Sequence, residues 1–255
     1  MDVGPQTNSI SLDNLQLLEL ALIHLQEAQS SLTFNSYLKT EWNLFHADSL
    51  RRNALLNATE GVQVNRVLDL GCGAGQELLP FVALGARAVG VDLSPEAVQF
   101  GKEMFVQSGF GDRVDFLGAS GSALPFTDAC FDVLICRVAL MYMDQKSALG
   151  EVARVVRSGG RFLLKYHARS YYTSKFWSGL KTGHGKSSIH ALRVLVSGYV
   201  YHLTGKQPAG RLTAAGEIFH TRETLKREFA SLGLKIIGEM PDSNNQTPSL
   251  VISKE

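Results

Sequence analysis

The sequence predicts an α/β fold with a mostly parallel sheet. Two short apolar runs, 67–70 and 88–91, have the length and composition of buried parallel strands. A glycine-rich turn and a segment with helical spacing, 76–84, separate them, and residues 131–136 form a further strand-like apolar run. Because strands that alternate with helices build parallel sheets covered on both faces, we expect that architecture here.

Length and composition limit the class of protein to which the chain can belong. A chain of 255 residues with 45% hydrophobic residues and a net charge of +1 is typical of one soluble α/β domain with additions. The three cysteines, Cys72, Cys130 and Cys136, have no metal-ligand spacing, so we expect no metal site, and reduced thiols favour a cytoplasmic location. Residues 1–14 do not resemble a signal peptide, and no apolar run is long enough to span a membrane.

The glycine-rich turn indicates a nucleotide pocket. Gly71, Gly73 and Gly75 allow a tight turn and a close approach of the backbone to a ligand. Asp92 ends the second strand, where its carboxylate can bind both hydroxyls of a ribose. A dinucleotide fingerprint would require a third glycine at the position of Gln76, so the spacing disfavours a nicotinamide cofactor.

The pattern D-x-G-x-G-x-G, which begins at Asp69, resembles motif I of the class I S-adenosylmethionine-dependent methyltransferases, and further similar blocks extend toward the C-terminus. The resemblance implies a seven-stranded sheet with an antiparallel last strand. It also implies S-adenosylmethionine as cofactor and S-adenosylhomocysteine as product. The implied cofactor contacts are Asp69 at the methionine amino end, the backbone of Gly71, Cys72, Gly73 and Gly75 beneath it, Asp92 on the ribose and Leu93 on the adenine. The alternative is that Asp69 and Asp92 are only a turn residue and a cap.

The adenine loop departs from the family pattern. Alignment on Leu124-Pro125-Phe126 puts Ala119 and Ser120 where the family has Gly-Asp. Ser120 can still accept a hydrogen bond from the adenine amino group, and the Gly121 amide can reach a ring nitrogen. A neutral acceptor in place of a carboxylate should weaken cofactor binding by roughly 1 kcal/mol.

Two residues are candidates for the acceptor side of the site. The loop 137–144 should lie beneath the sulfonium, with Arg137 at the cofactor and Tyr142 beside the acceptor. His167 follows the fifth strand, where several relatives keep a general base, and an imidazole pKa near 6.5 suits that role. The alternatives are that Tyr142 is a packing aromatic and that His167 is a surface or hydrogen-bonded filler.

We predict four segments: an N-terminal helical cap, 1–60, a cofactor-binding core, 61–165, a helical lid, 166–216, and the C-terminal helix with the last two strands, 217–255. In the cap, leucines 15, 18, 22 and 25 share a helical face, and Tyr37 is the first candidate to cover the cofactor. The alternative is that the aromatic residues of the cap only anchor it to the core.

The lid has an unusual charge balance. No Asp or Glu occurs from residue 165 to 211, whereas Lys and Arg recur throughout. Residues 188–203 have helical periodicity, with one apolar and one polar face, and a flexible linker, 182–186, should join this helix to an earlier one. The lid could enclose a small, partly apolar or aromatic acceptor, which we favour, or dock on an anionic membrane through 188–203. Nucleic acid is disfavoured because no recognition module is evident.

The predicted reaction is methyl transfer to an oxygen, nitrogen or carbon nucleophile of a small acceptor, since the cofactor supplies an activated methyl group. A lipid-like acceptor at a membrane surface is the first alternative. A non-catalytic protein that binds the cofactor is the second, prompted by the missing carboxylate of the adenine loop. Aminopropyl transfer is a third, and the basic lid disfavours it. Sequence alone does not fix the acceptor, the methylated atom or the oligomeric state.

Overall fold

The computed structural model describes residues 36–208, 216–241 and 246–255. The helices of these residues are α1 Ser36–Ala47, α2 Ser49–Asn57, α3 Leu79–Ala83, α4 Pro95–Gln107, α5 Gln145–Val155, α6 Arg169–Lys181, α7 Gly185–Thr204 and α8 Arg222–Ala230. The strands are β1 Arg66–Leu70, β2 Arg87–Asp92, β3 Val114–Gly118, β4 Phe131–Arg137, β5 Val156–Lys165, β6 Leu234–Glu239 and β7 Ser249–Lys254.

The strands form one seven-stranded sheet in the order β3-β2-β1-β4-β5-β7-β6. The pairs from β3 to β5 are parallel, and β7 runs antiparallel to both of its neighbours. The predicted sheet and its antiparallel last strand are therefore confirmed. The strand order reverses between β1 and β4, since β2 and β3 lie on one side of β1 and β4 and β5 on the other, so a crevice opens at the carboxyl ends of β1 and β4.

Helices cover both faces of the sheet. Trp42 and Phe45 of α1 and Phe105 of α4 are buried in the core on one face, and Leu149 of α5 and Phe229 of α8 are buried in the core on the other. The pair Ser94-Pro95 predicts the start of a helix, and Ser94 does cap α4, because its side chain accepts the amide N–H of Ala97.

The N-terminal prediction is tested only in part. Helices α1 and α2 lie within 36–57, and the Arg52 guanidinium is buried and donates to the carbonyl oxygens of Phe45 and His46 at the end of α1. The predicted leucine face of residues 15–25 and Phe34 lie outside the described residues. The boundaries of the four predicted segments remain a prediction.

Two local predictions need correction. Residues 76–84 form a single turn of 3₁₀ helix followed by the short α3, not one continuous helix. The sequence also predicts a turn at Gly159-Gly160 before the fifth strand, but this pair lies inside β5, where the pairing with β4 shifts register. A turn that the sequence predicts at 244–246, between the last two strands, lies mostly outside the described residues.

Helices α6 and α7 form a hairpin in the segment predicted as the lid. They are joined at 182–184, so α7 begins within the predicted linker. The side chains of α7 that face the protein include Ala191, Val194 and Ser197, whereas Leu192, Val196 and Leu203 are exposed. The predicted apolar face therefore does not close over a pocket. No helix in the described part of the chain is long and apolar enough to cross a membrane.

Candidate functional site

A cavity of about 860 Å³ lies at the carboxyl ends of β1, β2 and β4. The structure brings twelve of the thirteen predicted site residues to its wall. These are Tyr37, Asp69, Gly71, Cys72, Gly73, Asp92, Leu93, Ser120, Gly121, Arg137, Tyr142 and His167. The size of the cavity and its place at the reversal of strand order suit a nucleotide-sized ligand.

Gly75 is the exception, since it does not line the cavity. Its φ of +77° is a left-handed conformation, and a Cβ atom there would lie 2.6 Å from the ring of Phe116. Gly75 is thus required for the turn and for packing. Gly73 lines the cavity with φ +53°, and a Cβ atom there would meet no neighbour within 4 Å, so it would project into open space.

Asp92 connects the glycine turn to the end of β2. Its Oδ2 accepts the amide N–H of Gly73 at 2.8 Å, and its Oδ1 accepts that of Ser94 at 2.9 Å. Each carboxylate oxygen has a second lone pair. Asp92 can therefore hold the turn and still accept hydrogen bonds from a diol in the cavity.

One end of the cavity holds two acidic and two basic residues. Asp69 of β1 and Glu77 of the 3₁₀ turn are buried. Glu77 Oε1 pairs with the Arg51 guanidinium of α2 and lies 2.9 Å from Arg137 Nε. Among the described residues, Asp69 Oδ2 and Glu77 Oε2 are buried without a hydrogen-bond partner. We call Asp69, Glu77, Arg51 and Arg137 the charged end of the cavity.

Burial is the main reason that the pKa of Asp69 is raised well above its ordinary value, and the nearby Glu77 raises it further, while Arg137 lowers it. A buried carboxylate oxygen without a donor is costly. A ligand with a cationic amine would supply that donor, and its own carboxylate would suit the two arginines. The charged end thus fits the zwitterionic amino-acid part of S-adenosylmethionine.

The other side of the cavity is mostly neutral. Leu93 is largely exposed and lines the wall after β2. The Ser120 Oγ accepts the amide N–H of Ser122 at 3.2 Å, so one of its two lone pairs is already used. Gly121 is buried, and a Cβ atom there would lie 2.7 Å from Met143 Sδ. These residues leave room for a flat, apolar ring with few polar contacts.

His167 reaches the cavity within an aromatic cluster. Its ring stacks on Tyr171 with 3.8 Å between ring centroids, and its Nδ1 lies 3.2 Å from the Tyr172 hydroxyl. The Tyr172 hydroxyl donates to Glu217 Oε1 at 2.7 Å, and His190 Nε2 of α7 lies 3.2 Å from Glu217 Oε2. A chain of polar contacts therefore runs from the cavity to the helical hairpin.

Burial, together with Lys175 and Lys165, lowers the pKa of His167 to about 4. The expectation of an ordinary pKa near 6.5 is therefore corrected. The pKa of Tyr142 is raised to about 12, first by burial and then by Glu217, Tyr171 and Tyr37. At neutral pH His167 is an uncharged acceptor and Tyr142 a protonated donor.

The loop after β4 contains a strained residue. Val138 lines the cavity with φ +55°, a conformation that a β-branched residue rarely adopts. Its amide donates to the Lys165 carbonyl at 2.8 Å, which holds the loop beside β5. Strain of this kind costs on the order of 1–3 kcal/mol and is typical of functional sites.

Four polar residues of the site were missed by the sequence analysis: Arg51, Glu77, Tyr172 and Glu217. Glu77 had a signal, since an acidic residue in an otherwise apolar turn after the glycines needs a partner. Arg51 had none, because nothing in α2 indicates that it packs against the turn. Cys72 is buried with its pKa raised well above its usual range by burial, so it is an inert wall residue.

Comparison with known proteins agrees with this geometry. Residues 68–164 match a family model described as "Methyltransferase domain". The chain is 28% identical over 138 residues to the sterol 4-C-methyltransferase strm-1 of Caenorhabditis elegans, which covers 49% of the chain. It is 38% identical over 104 residues to the uncharacterized methyltransferase YcgJ of Bacillus subtilis, which covers 40%. The alignments span 41% of the length of each of these relatives.

The fold is also found in solved structures. The geranyl diphosphate C-methyltransferase of Streptomyces coelicolor, in complex with Mg²⁺, geranyl diphosphate and S-adenosylhomocysteine, superposes with a TM-score of 0.57 at 15% identity. The match covers 81% of this chain and 79% of that one. Residues 68–164 thus match a methyltransferase domain, as the resemblance predicted, and the chain shares its fold with this solved methyltransferase.

Proposed function

We propose that this chain transfers the methyl group of S-adenosylmethionine to an oxygen, nitrogen or carbon nucleophile of a small, partly apolar or aromatic acceptor. The observation that carries the proposal is the polarity of the cavity described above. Its charged end suits a zwitterionic amino acid, and His167 and Tyr142 give its wall two aromatic side chains and one neutral acceptor nitrogen.

The residues at the charged end would hold the cofactor in one orientation. Asp69 and Glu77 would accept hydrogen bonds from its amine, and Arg51 and Arg137 would bind its carboxylate. Asp92 would bind the ribose, and Leu93, Ser120 and Gly121 would contact the adenine. The bound cofactor supplies a methyl group that is already activated by the sulfonium charge, so the protein mainly has to align and desolvate the reactants.

The hydrogen bonds around His167 fix its tautomer. Tyr172 donates its only hydroxyl proton to Glu217, so its oxygen can only accept from the imidazole. Nδ1 of His167 therefore carries the proton, and Nε2 keeps a lone pair. We assign His167 as the group that accepts a proton from the acceptor, with Tyr172 and Glu217 as positioning residues.

Tyr142 has a different role in this proposal. Its raised pKa keeps the phenol protonated at neutral pH, so it is a poor base and a good hydrogen-bond donor. It would orient the acceptor through an oxygen or nitrogen lone pair. Tyr37, which also lines the cavity, would cover the cofactor from the side of α1.

The relatives guide the choice of acceptor. One acts on a sterol by its name, and the structural neighbour was solved with an isoprenoid diphosphate. The sterol and the isoprenoid diphosphate each have an apolar carbon skeleton, which suits a cavity lined by aromatic side chains. The acceptor of this chain would therefore be an isoprenoid-like or aromatic small molecule.

The test is a methyl-transfer assay with S-adenosylmethionine carrying a labelled methyl group. Sterols, prenyl diphosphates, phenols and aliphatic amines serve as acceptors, and S-adenosylhomocysteine and methylated products are detected by mass spectrometry. We expect turnover with an apolar acceptor that falls in His167→Gln and Tyr172→Phe. Tight cofactor binding without turnover on any acceptor class would instead favour a non-catalytic binding protein.

A further inference from the structure

Helix α7 exposes its apolar side. Ile189, Leu192, Val196, Tyr199, Val200 and Leu203 are between 37% and 85% exposed, and their spacing follows one helical face. We call these six residues the outer apolar face. In the same hairpin, Trp177 and Leu180 of α6 are also more than half exposed.

The opposite side of α7 is packed against the protein. Ala191, Val194, Ser197, Gly198 and Tyr201 are buried. Gly198 allows close contact, because a Cβ atom there would overlap with the ring of Phe219. At 100° per residue the buried and exposed sets lie on opposite sides of the helix. The outer apolar face therefore points away from the core, and only the ring of Tyr199, at its edge, meets a described aromatic neighbour, Phe219.

Positive charge accompanies the outer apolar face. Lys181, Lys186, Arg193 and Lys206 are exposed in or beside the hairpin. From residue 165 to 208 the sequence contains no Asp or Glu that could neutralise them. A helix with exposed apolar residues, an aromatic residue and flanking basic residues has the features of a segment that lies in an anionic membrane interface.

The charge of the hairpin also argues against a second copy of the chain as the partner that covers the outer apolar face. A two-fold symmetric contact would bring the same basic surface of both copies together, without acidic residues in the hairpin to compensate. An anionic lipid surface supplies the missing negative charge, and its acyl boundary accommodates the leucine and valine side chains.

We propose that the α6–α7 hairpin docks on an anionic membrane surface through the outer apolar face, with Trp177, Leu180 and the neighbouring basic residues. The docking is peripheral, since it buries only side chains that are exposed on the surface of α6 and α7. The proposal does not depend on the methyltransferase function, because none of these residues lines the cofactor cavity. It would bring the enzyme to apolar acceptors that reside in membranes.

The test is sedimentation of the full chain with vesicles of phosphatidylcholine alone and with about one third phosphatidylglycerol. We expect retention on the anionic vesicles that weakens with salt. Lys186→Glu/Arg193→Glu should reduce the partition coefficient by at least 25-fold, since each basic residue near the surface contributes roughly fivefold. Leu192→Gln/Val196→Gln should reduce it by about tenfold, through lost apolar burial.

Matched controls use exposed residues of α4. Val106→Gln and Lys102→Glu make the same kinds of substitution, apolar to amide and basic to acidic, at another place on the surface. They should leave retention on the vesicles unchanged. All four variants should keep the melting temperature and the affinity for S-adenosylhomocysteine, so loss of retention would be separate from loss of the cofactor site.

Three results would overturn the proposal. The first is absence of retention on anionic vesicles by the intact chain, and the second is equal loss in the α4 controls. The third is a dimer, measured by light scattering, that Leu192→Gln/Val196→Gln dissociates while vesicles retain neither form. That last result would assign the outer apolar face to a contact between copies of the chain.

Discussion

The carboxylate of Asp92 accepts the backbone N–H of Gly73 at 2.8 Å, so the residue that ends β2 also holds the glycine turn after β1. This hydrogen bond therefore shapes the pocket and also stabilises the fold. A change at Asp92 should therefore affect both cofactor binding and the conformation of the turn, and the two effects need to be separated by the choice of substitution.

Asp92→Ala should lower the free energy of unfolding by about 1.5–3 kcal/mol, because the amides of Gly73 and Ser94 lose a charged acceptor. Asp92→Asn retains one acceptor oxygen and should cost about half as much. Urea denaturation of the three proteins measures the difference. Equal stability of Asp92→Ala and the unsubstituted chain would show that the contact does not hold the turn.

Asp69→Asn should stabilise the protein without ligand and weaken cofactor binding. Burial raises the pKa of Asp69, so its ionised form destabilises the folded state above the unfolded pKa of about 4. At pH 7 the variant should therefore melt at a higher temperature, and the difference should shrink as pH falls through the raised pKa. Melting curves at several pH values measure it, and a lower melting temperature of the variant at pH 7 would contradict this account.

Arg51→Met should act on the amino-acid part of the ligand only. It removes one partner of the buried Glu77, and with it a charge that would face the ligand carboxylate. We expect the affinity for S-adenosylhomocysteine to fall by about 10- to 100-fold, since hydrogen bonds to charged groups contribute about 1.5–3 kcal/mol. Methylthioadenosine lacks the amino-acid group and is the control. Calorimetry that finds equal losses for both ligands would contradict the assignment.

His167 should titrate far below the usual range of a histidine. With a pKa of about 4, it stays neutral from pH 5 upward, so an acceptor-dependent rate should be level between pH 6 and 8 and fall as pH approaches 4. ¹⁵N NMR of histidine-labelled protein gives the pKa without an acceptor. It should also show Nδ1 protonated, and Tyr172→Phe should change that tautomer preference. A His167 pKa near 6.5 would contradict the described environment.

Gly198→Ala should destabilise the hairpin. The added Cβ atom would overlap with the Phe219 ring, and overpacking of this kind costs about 1–3 kcal/mol. Gly150 in α5 is the matched control, because a Cβ atom there meets nothing within 4 Å and Ala should stabilise the helix by about 0.5–1 kcal/mol. Thermal melting compares the two variants. An unchanged melting temperature of Gly198→Ala would show that the helix does not pack closely on Phe219.

The sequence was sufficient for the sheet and for the cofactor side of the cavity. Apolar runs and glycine spacing are local signals, and they placed β1, β2 and the turn with Asp69 and Asp92 correctly. Gly75 was assigned to the ligand because spacing does not tell which glycine faces the cavity and which faces Phe116.

The acceptor side was predictable only in part. His167 and Tyr142 were found because they follow strands, but their partners Tyr172 and Glu217 are 45 residues apart in the sequence. Nor does periodicity tell which side of an amphipathic helix is packed. In α7 the side that carries Val194 and Gly198 faces the core and the side that carries Leu192 and Leu203 faces outward, which only the tertiary contacts reveal.

The most direct test of the central claim is calorimetric titration of the chain with S-adenosylhomocysteine at neutral pH. We predict one site of micromolar affinity that weakens at least tenfold in Asp92→Ala and in Asp69→Asn. A folded chain that binds no S-adenosylhomocysteine at millimolar concentration, or that binds it equally well in both variants, would contradict the assignment of this cavity to the cofactor.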